Sequence, residues 1–164
     1  MEVRLASNLQ SDSIVDGDGI RTVIWFQGCH HHCRECQNPE TWNPNGGFAV
    51  SIDEIKEQIK ALKYQTGLTL SGGDPFFQVD AAVEIAKFAH SIGLNIWCYT
   101  GFTYEEIMAD EKLKSLLENV DVLVDGKFEL ELKSLACKFR GSTNQRVIDV
   151  KKSLETGEIV KLYE

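Results

Sequence analysis

The chain has 164 residues, enough for one domain with a single core and too few for two ordinary ones. Hydrophobic residues make up 43%, yet no apolar run approaches the roughly 18 residues a membrane span requires, so neither a spanning protein nor a membrane partner is expected. A formal charge of -8 with scattered Lys and Arg, of which Lys151-Lys152 reads as a solvated pair, excludes a nucleic-acid backbone as the expected partner and favours a protein or small molecule.

Met1-Glu-Val-Arg-Leu lacks the basic and apolar regions of a secretory signal, and the five cysteines are an odd number with three in one loop. Both features point to a cytoplasmic chain with reduced thiols rather than a disulfide framework.

Residues 3–22 alternate poorly and contain the turn-rich Asp16-Gly17-Asp18-Gly19, so a loop is expected there. Arg21 to Gln27 reads as the first strand, apolar on both faces through Val23, Ile24, Trp25 and Phe26, as a parallel strand covered on each side would be. It leads into Gly28-Cys29-His30-His31-His32-Cys33-Arg34-Glu35-Cys36, three cysteines at C-x3-C-x2-C spacing on a loop at a strand end. Thiolates select zinc or iron–sulfur clusters among the biological metals. A closed zinc site wants four ligands, and most clusters take four cysteines, so a cluster held by three has one iron with no protein ligand. On spacing alone, zinc completed by His30, His31, His32, Cys98 or Cys137 stays open beside that reading. Adjacent histidines on a loop point in different directions and cannot all bind one ion; they either tune a cluster through hydrogen bonds or face solvent, and the solvent reading is preferred.

Asn43-Pro44-Asn45-Gly46-Gly47 breaks the chain before an amphipathic helix over 52–63, capped by Ser51-x-x-Glu54 and carrying Ile52, Ile55, Ile59 and Leu62 on one face. A second strand, Thr66 to Ser71, ends at Gly72-Gly73-Asp74-Pro75, where the glycines let another group approach the backbone and the proline closes the strand. A helix over 79–92 stops at Gly93. The third strand, Leu94 to Tyr99, holds Cys98 as a buried filler and runs into Thr100-Gly101, after which Thr103-x-x-Glu106 caps another helical region. Leu113, Leu116 and Leu117 mark a short helix before the fourth strand, Val120 to Val124, which ends in Asp125-Gly126-Lys127. Glu129 to Ser134 reads as a short helix, and Val147 to Val150 and Ile159 to Leu162 as short strands flanking a turn at Thr156-Gly157. Arg140 and Arg146 are left without a role beyond an ordinary salt bridge or a ligand contact, and Cys137 is left as a non-ligand.

Each of the four strands thus ends on residues of chemical interest, and parallel β/α folds place their sites on that face. A full eight-unit barrel takes about 250 residues, so this chain supplies about five or six mainly parallel strands in an open, partial β/α barrel.

The cysteine triplet followed by Gly72-Gly73-Asp74-Pro75 resembles the radical S-adenosylmethionine enzymes. Asp16-Gly-Asp-Gly-Ile-Arg21, Gln27-Gly-Cys29, Asn38-Pro-Glu-Thr-Trp42, Asp125-Gly-Lys-Phe128 and Arg140-Gly-Ser-Thr-Asn-Gln-Arg146 further resemble the activating proteins of anaerobic ribonucleotide reductase, from about Ser13 to Val160. That resemblance implies a 4Fe-4S cluster on Cys29, Cys33 and Cys36 with one open iron, chelated by the methionine end of S-adenosylmethionine. It implies that Gly72, Gly73 and Asp74 line the methionine amino group, that Lys127 of the Asp125-x-Lys127 element meets a carboxylate, and that the backbone of Glu35, Cys36 and Gln37 holds the adenine. Glu35 stands where many members carry an aromatic residue, so the stacking partner must come from elsewhere. The implied partners are the reductase, whose backbone glycine would lose a hydrogen atom, and a flavodoxin-like electron donor. An activator of another glycyl radical enzyme, a small-molecule radical enzyme and a zinc-binding interaction module are the alternatives.

Because the cysteine loop lies outside the core, Cys33→Ala is expected to abolish cluster assembly while leaving a soluble fold. Unchanged iron content after anaerobic purification contradicts this.

Overall fold

A computed structural model describes residues 1–29, 31, 39–134, 136 and 138–163, and every structural statement below concerns these residues. The chain runs β1 (Glu2–Leu5), β2 (Gln10–Ser13), β3 (Arg21–Phe26), β4 (Phe48–Ser51), α1 (Ile52–Lys60), β5 (Gly67–Gly72), α2 (Val79–Ser91) and β6 (Asn95–Tyr99). It continues through α3 (Tyr104–Met108), α4 (Glu111–Leu117), β7 (Val122–Asp125), β8 (Arg146–Asp149) and α5 (Val150–Thr156). Eight strands form one sheet in the order β4-β1-β3-β5-β6-β7-β8, with β2 added to β3.

The middle of that sheet is the parallel run expected from sequence: β3, β5, β6 and β7 pair in parallel. The flanks are antiparallel, through β1 with β3 and β4, β2 with β3, and β7 with β8. The result is an open, partial β/α barrel. Its strand count exceeds five or six because β1, β2 and β4 lie in or just after segments read as loop. β2 shows why: Gln-Ser-Asp-Ser carries no apolar alternation and only Ser13 is buried.

The tail also differs from expectation. The strand read at 147–150 is β8, but Val150 begins a helix rather than ending a strand, because the Asp149 side chain accepts from the Lys152 N–H at 3.0 Å. Gly157, at φ 78°, supplies the left-handed stop of α5. Ile159 to Leu162 is no strand; only Lys161 bridges to Ile148.

The sheet's two faces are unlike. Ile24, Phe26, Leu68, Leu70, Ile96, Cys98, Leu123 and Ile148 point to one side and form the main core with the buried faces of α1 to α5. Ile52, Ile55 and Ile59 are buried on α1, whose Ser51 Oγ accepts from the Glu54 N–H at 3.1 Å. Burying an aliphatic side chain of this size fully is worth about 1.5–3 kcal/mol, so the stripe rather than helix propensity holds this short helix in place. The opposite face carries Trp97, Val124 and Val147 with Phe139 and Tyr163 packed over them, and a fully buried Arg21. Arg21 donates to Thr69 Oγ1 and to the backbone oxygens of Asp18 and Leu68, each at 2.8 Å, to Asn95 Oδ1 at 2.5 Å, and lies 5.5 Å from the Trp97 ring centroid. The Asp16–Gly19 turn is therefore fastened to β5 and β6 through one guanidinium. Burial lowers that guanidinium to about 10, and it stays charged at neutral pH.

At the carboxyl end of β5, Gly72 has φ 103°, and a Cβ there would lie 2.4 Å from Phe26 O and 2.5 Å from Phe26 N. The group approaching this glycine is the neighbouring strand itself. Gly72→Ala should cost about 2–4 kcal/mol, from a backbone conformation foreign to L residues plus a clash with main chain. Urea unfolding of the metal-free protein measures this, and a loss below about 1 kcal/mol, the size of an ordinary substitution, contradicts it.

Candidate functional site

Among the described residues, Cys29, Gly72, Gly73, Asp74, Asp125 and Lys127 lie at the carboxyl ends of the parallel strands. Gly28 N–H donates to Thr41 O at 2.6 Å and Cys29 N–H to Trp42 O at 3.0 Å, so the chain leaves β3 and returns at the same place. Gln27, buried, reinforces the closure by donating to the carbonyls of Glu40 and Asn43 at 3.1 and 2.7 Å. The cysteine-bearing loop is thus a closed ring of backbone whose root, Cys29, is buried. Cys33, Cys36, Glu35 and Gln37, together with His30, His32 and Cys137, lie outside the described residues.

Gly73 and Asp74 hold this root from the side. Gly73 N–H donates to Phe26 O at 2.8 Å and Asp74 N–H to Gly28 O at 2.9 Å, while a Cβ on Gly73 would lie 2.3 Å from Gly28 O. The Asp74 carboxylate has no exposed surface. Its Oδ1 accepts from Phe76 N–H at 3.0 Å, and its Oδ2 accepts from Thr100 Oγ1, Gly101 N–H and His31 Nε2 at 2.8, 2.9 and 2.7 Å. A buried carboxylate needs such partners, and here they come from β5, the end of β6 and the cysteine loop. His31 is accordingly not at the surface, as expected from sequence, but has a side chain only 7% exposed. No sequence signal singles it out from its two histidine neighbours.

Beside this cluster opens a cavity of about 880 Å³, walled by His31 and Gly101 on one side and by Gly126 to Glu129 and Asn144 on another. Lys127 lines it as an exposed side chain. Asp125 lies at its base, buried, with Oδ2 accepting from Tyr104 N–H at 2.8 Å and the carboxylate paired to Arg146 through Nε at 3.0 Å and Nη2 at 2.5 Å. Arg146 reaches on to Glu105 Oε1 at 2.6 Å. Asp125 is thus already engaged within the chain, and Arg146 has the salt bridge that sequence left open. The Arg146 bond holds Glu105 below the usual carboxylate range, and its bonds to Asp125 and Glu105 raise Arg146 itself. Glu106, whose carboxylate accepts from Thr103 N–H, is lowered mainly by that bond, with a smaller contribution from the charge of Lys127.

Sequence reasoning missed the supports of this wall. Asn144 Nδ2 donates to Lys127 O at 2.8 Å and Gln145 Nε2 to Gly126 O at 3.0 Å, so the 140–146 segment grips the loop that presents Lys127 by its backbone. The run of amides in Asn144-Gln145 was the available signal, since side-chain amides pair well with the open carbonyls of a loop.

A partial barrel that carries the root of a cysteine loop at its strand ends is the frame of a protein of the 4Fe-4S single cluster class. Residues 15–148 match the family described as 4Fe-4S single cluster domain. The anaerobic ribonucleoside-triphosphate reductase-activating protein of Enterobacteria phage T4 is 37% identical over 81% of this chain and 86% of its own length. The protein of the same name from Escherichia coli K12 is 35% identical over 82% of this chain and 91% of its own. The crystal structure of QueE from Escherichia coli superposes with a TM-score of 0.52 at 15% identity, covering 62% of this chain and 54% of that one, a likeness of fold. The chain belongs to the family of anaerobic ribonucleoside-triphosphate reductase-activating proteins.

Removing Arg146 leaves the Asp125 carboxylate buried with one backbone donor, whereas removing Glu105 affects a carboxylate that is 63% exposed. Arg146→Met is expected to cost about 2–4 kcal/mol and Glu105→Gln less than about 1 kcal/mol. The Glu105 pair contributes above the carboxylate range and fades as pH falls through its lowered value, so the gap between wild type and Glu105→Gln should close in acid. Urea midpoints at neutral and acid pH check both, and equal losses in the two variants contradict the assignment.

Proposed function

We propose that this chain is an activase that cleaves S-adenosylmethionine reductively and leaves a glycyl radical on anaerobic ribonucleoside-triphosphate reductase. The supporting observation is the closed cysteine loop, rooted at buried Cys29, set directly against Gly73–Asp74 and a cavity able to take a nucleoside-sized ligand. Cys29, Cys33 and Cys36 form a donor set that suits a 4Fe-4S cluster and leaves one iron open. Held there, such a cluster would supply the electron for reductive cleavage of a carbon–sulfur bond of the sulfonium, with methionine and a 5′-deoxyadenosyl radical as the products.

The chain's own residues then bind, orient and exclude water. Lys127, on the cavity wall, offers the cation that suits the methionine carboxylate. Gly72, Gly73 and Asp74 supply the polar edge for the methionine amino group, with the Asp74 side chain acting through the bonds that fix this edge. Asp125 serves by fixing the end of β7 through Arg146 and Tyr104, so that Lys127 projects into the cavity. The backbone of Glu35, Cys36 and Gln37 holds the adenine.

The open sheet leaves room for a loop of a larger partner, and the reductase's glycine-bearing segment is the proposed occupant. A flavodoxin-like donor in the cytoplasm would supply the electron. No helix among the described residues is long and apolar enough to cross a membrane.

The test mixes anaerobically reconstituted protein with the reductase, S-adenosylmethionine and reductant. A glycyl radical signal in electron paramagnetic resonance, lost in Cys29→Ala, is expected. Its absence with the wild-type chain overturns the assignment.

A further inference from the structure

His31 stands midway between Cys29 and Cys33 in the loop proposed to carry the cluster, yet its ring is seated in a socket made by other parts of the fold. Nε2–H donates to Asp74 Oδ2 at 2.7 Å, and Asp74 is itself fixed by Thr100, Gly101 and Phe76. The ring packs edge-on to Phe102 at a centroid distance of 4.7 Å and tilted to Phe77 at 5.3 Å. Gly101 makes the space: a Cβ there would lie 2.5 Å from His31 Cδ2 and 2.8 Å from Cγ and Nε2. A loop residue with no task would have no reason to enter a socket that three other side chains and a glycine complete.

The consequence is a second point of attachment. The bonds of the Gly28 and Cys29 N–H groups to Thr41 O and Trp42 O join the two ends of the loop. His31 adds a bond from within the C-x3-C segment to a carboxylate that three further donors hold in place. We infer that His31 is a positioning residue: it pegs the cysteine loop to the ends of β5 and β6, so that the thiolates converge before metal arrives and stay converged afterwards. It does this through Asp74, without touching the metal. The inference rests on the cluster reading above and adds to it a residue and a partner, Gly101, that act at a distance from the sulfurs.

The test reads iron retention rather than activity. Wild type, His31→Ala, His31→Gln, Gly101→Ala and the His31→Ala/Gly101→Ala double variant are reconstituted anaerobically, and iron and sulfide per chain are measured. Each is then challenged with an iron(II) chelator while the cluster absorbance is followed. His31→Ala removes the peg and Gly101→Ala fills the socket, so each should lose iron roughly tenfold faster, the factor expected for one charge-assisted hydrogen bond. The double variant should be no worse than either single one, because both remove the same contact. His31→Gln, whose amide nitrogen can reach the same oxygen, should behave like wild type.

Wild-type iron retention in His31→Ala and Gly101→Ala overturns the inference. So does a His31→Gln variant as labile as His31→Ala, since the imidazole itself would then be the required group, as a metal ligand is. Loss of cooperative unfolding in the metal-free single variants also overturns it, because His31 would then belong to the core of the fold rather than to the loop's placement. Wild type that binds no iron and sulfide sinks the cluster reading instead, and is distinguishable from all of these.

Discussion

The Asp74 carboxylate is the contact on which the rest of the site depends. It is completely buried, and a buried ionised group is tolerated only when its oxygens are hydrogen-bonded. The four donors that satisfy it come from three places in the chain: the turn after β5, the end of β6, and the cysteine loop. Satisfying one charge therefore fixes three loops relative to one another. Gly72 and Gly73 make this possible by letting β5 pass against the main chain of Phe26 and Gly28 with no side chain between them. The motif Gly-Gly-Asp-Pro thus has a mechanical reading alongside any ligand it meets: close approach, then a carboxylate that gathers its surroundings, then a proline that ends the strand.

A second carboxylate repeats the logic two strands further on. Asp125 ends β7, accepts from the first N–H of α3 and binds Arg146, which begins β8. Here the partner is a full guanidinium, so the pair joins the last parallel strand to the antiparallel one beside it. Asp125 lines the cavity, and so do His31 and Gly101, two of the donors to Asp74. Lys127, Glu106, Glu129 and Asn144 belong to the same lining.

The parallel centre of the fold was legible because its residues announce it. Val23 to Phe26, Leu68 with Leu70, Ile96 to Cys98 and Leu123 with Val124 are apolar runs of strand length, each bounded by turn residues. The helices were legible from their caps: Thr103 and Glu106 form both bonds of a capping box, and the Ser51 side chain accepts from the Glu54 N–H. The antiparallel strands on the β3 side of the sheet were not. β2 owes its conformation to pairing with β3, and β4 to pairing with β1, not to any pattern of its own. The start of α5 was hidden because Val147 to Val150 is β-branched throughout apart from Asp149, and the cap at Asp149 was read as part of a strand. In the site, the cysteine spacing and the strand-end glycines were readable. The pairing of Asp125 with Arg146 was not, because the two are 21 residues apart and nothing local joins them. The placement of His31 was equally hidden, since its identity is shared with both neighbours.

Arg21 has a further consequence. It is the largest wholly buried side chain, its hydrogen-bond acceptors are backbone and neutral side-chain oxygens, and it keeps its charge at neutral pH. A molecule that is acidic as a whole therefore carries a permanent positive source inside the concave side of its sheet. Salt screens the acidic exterior beyond about 8 Å, whereas a charge enclosed by protein is screened far less. The Arg21 charge therefore acts on its neighbours over a wider range of salt than the charges of the exterior do.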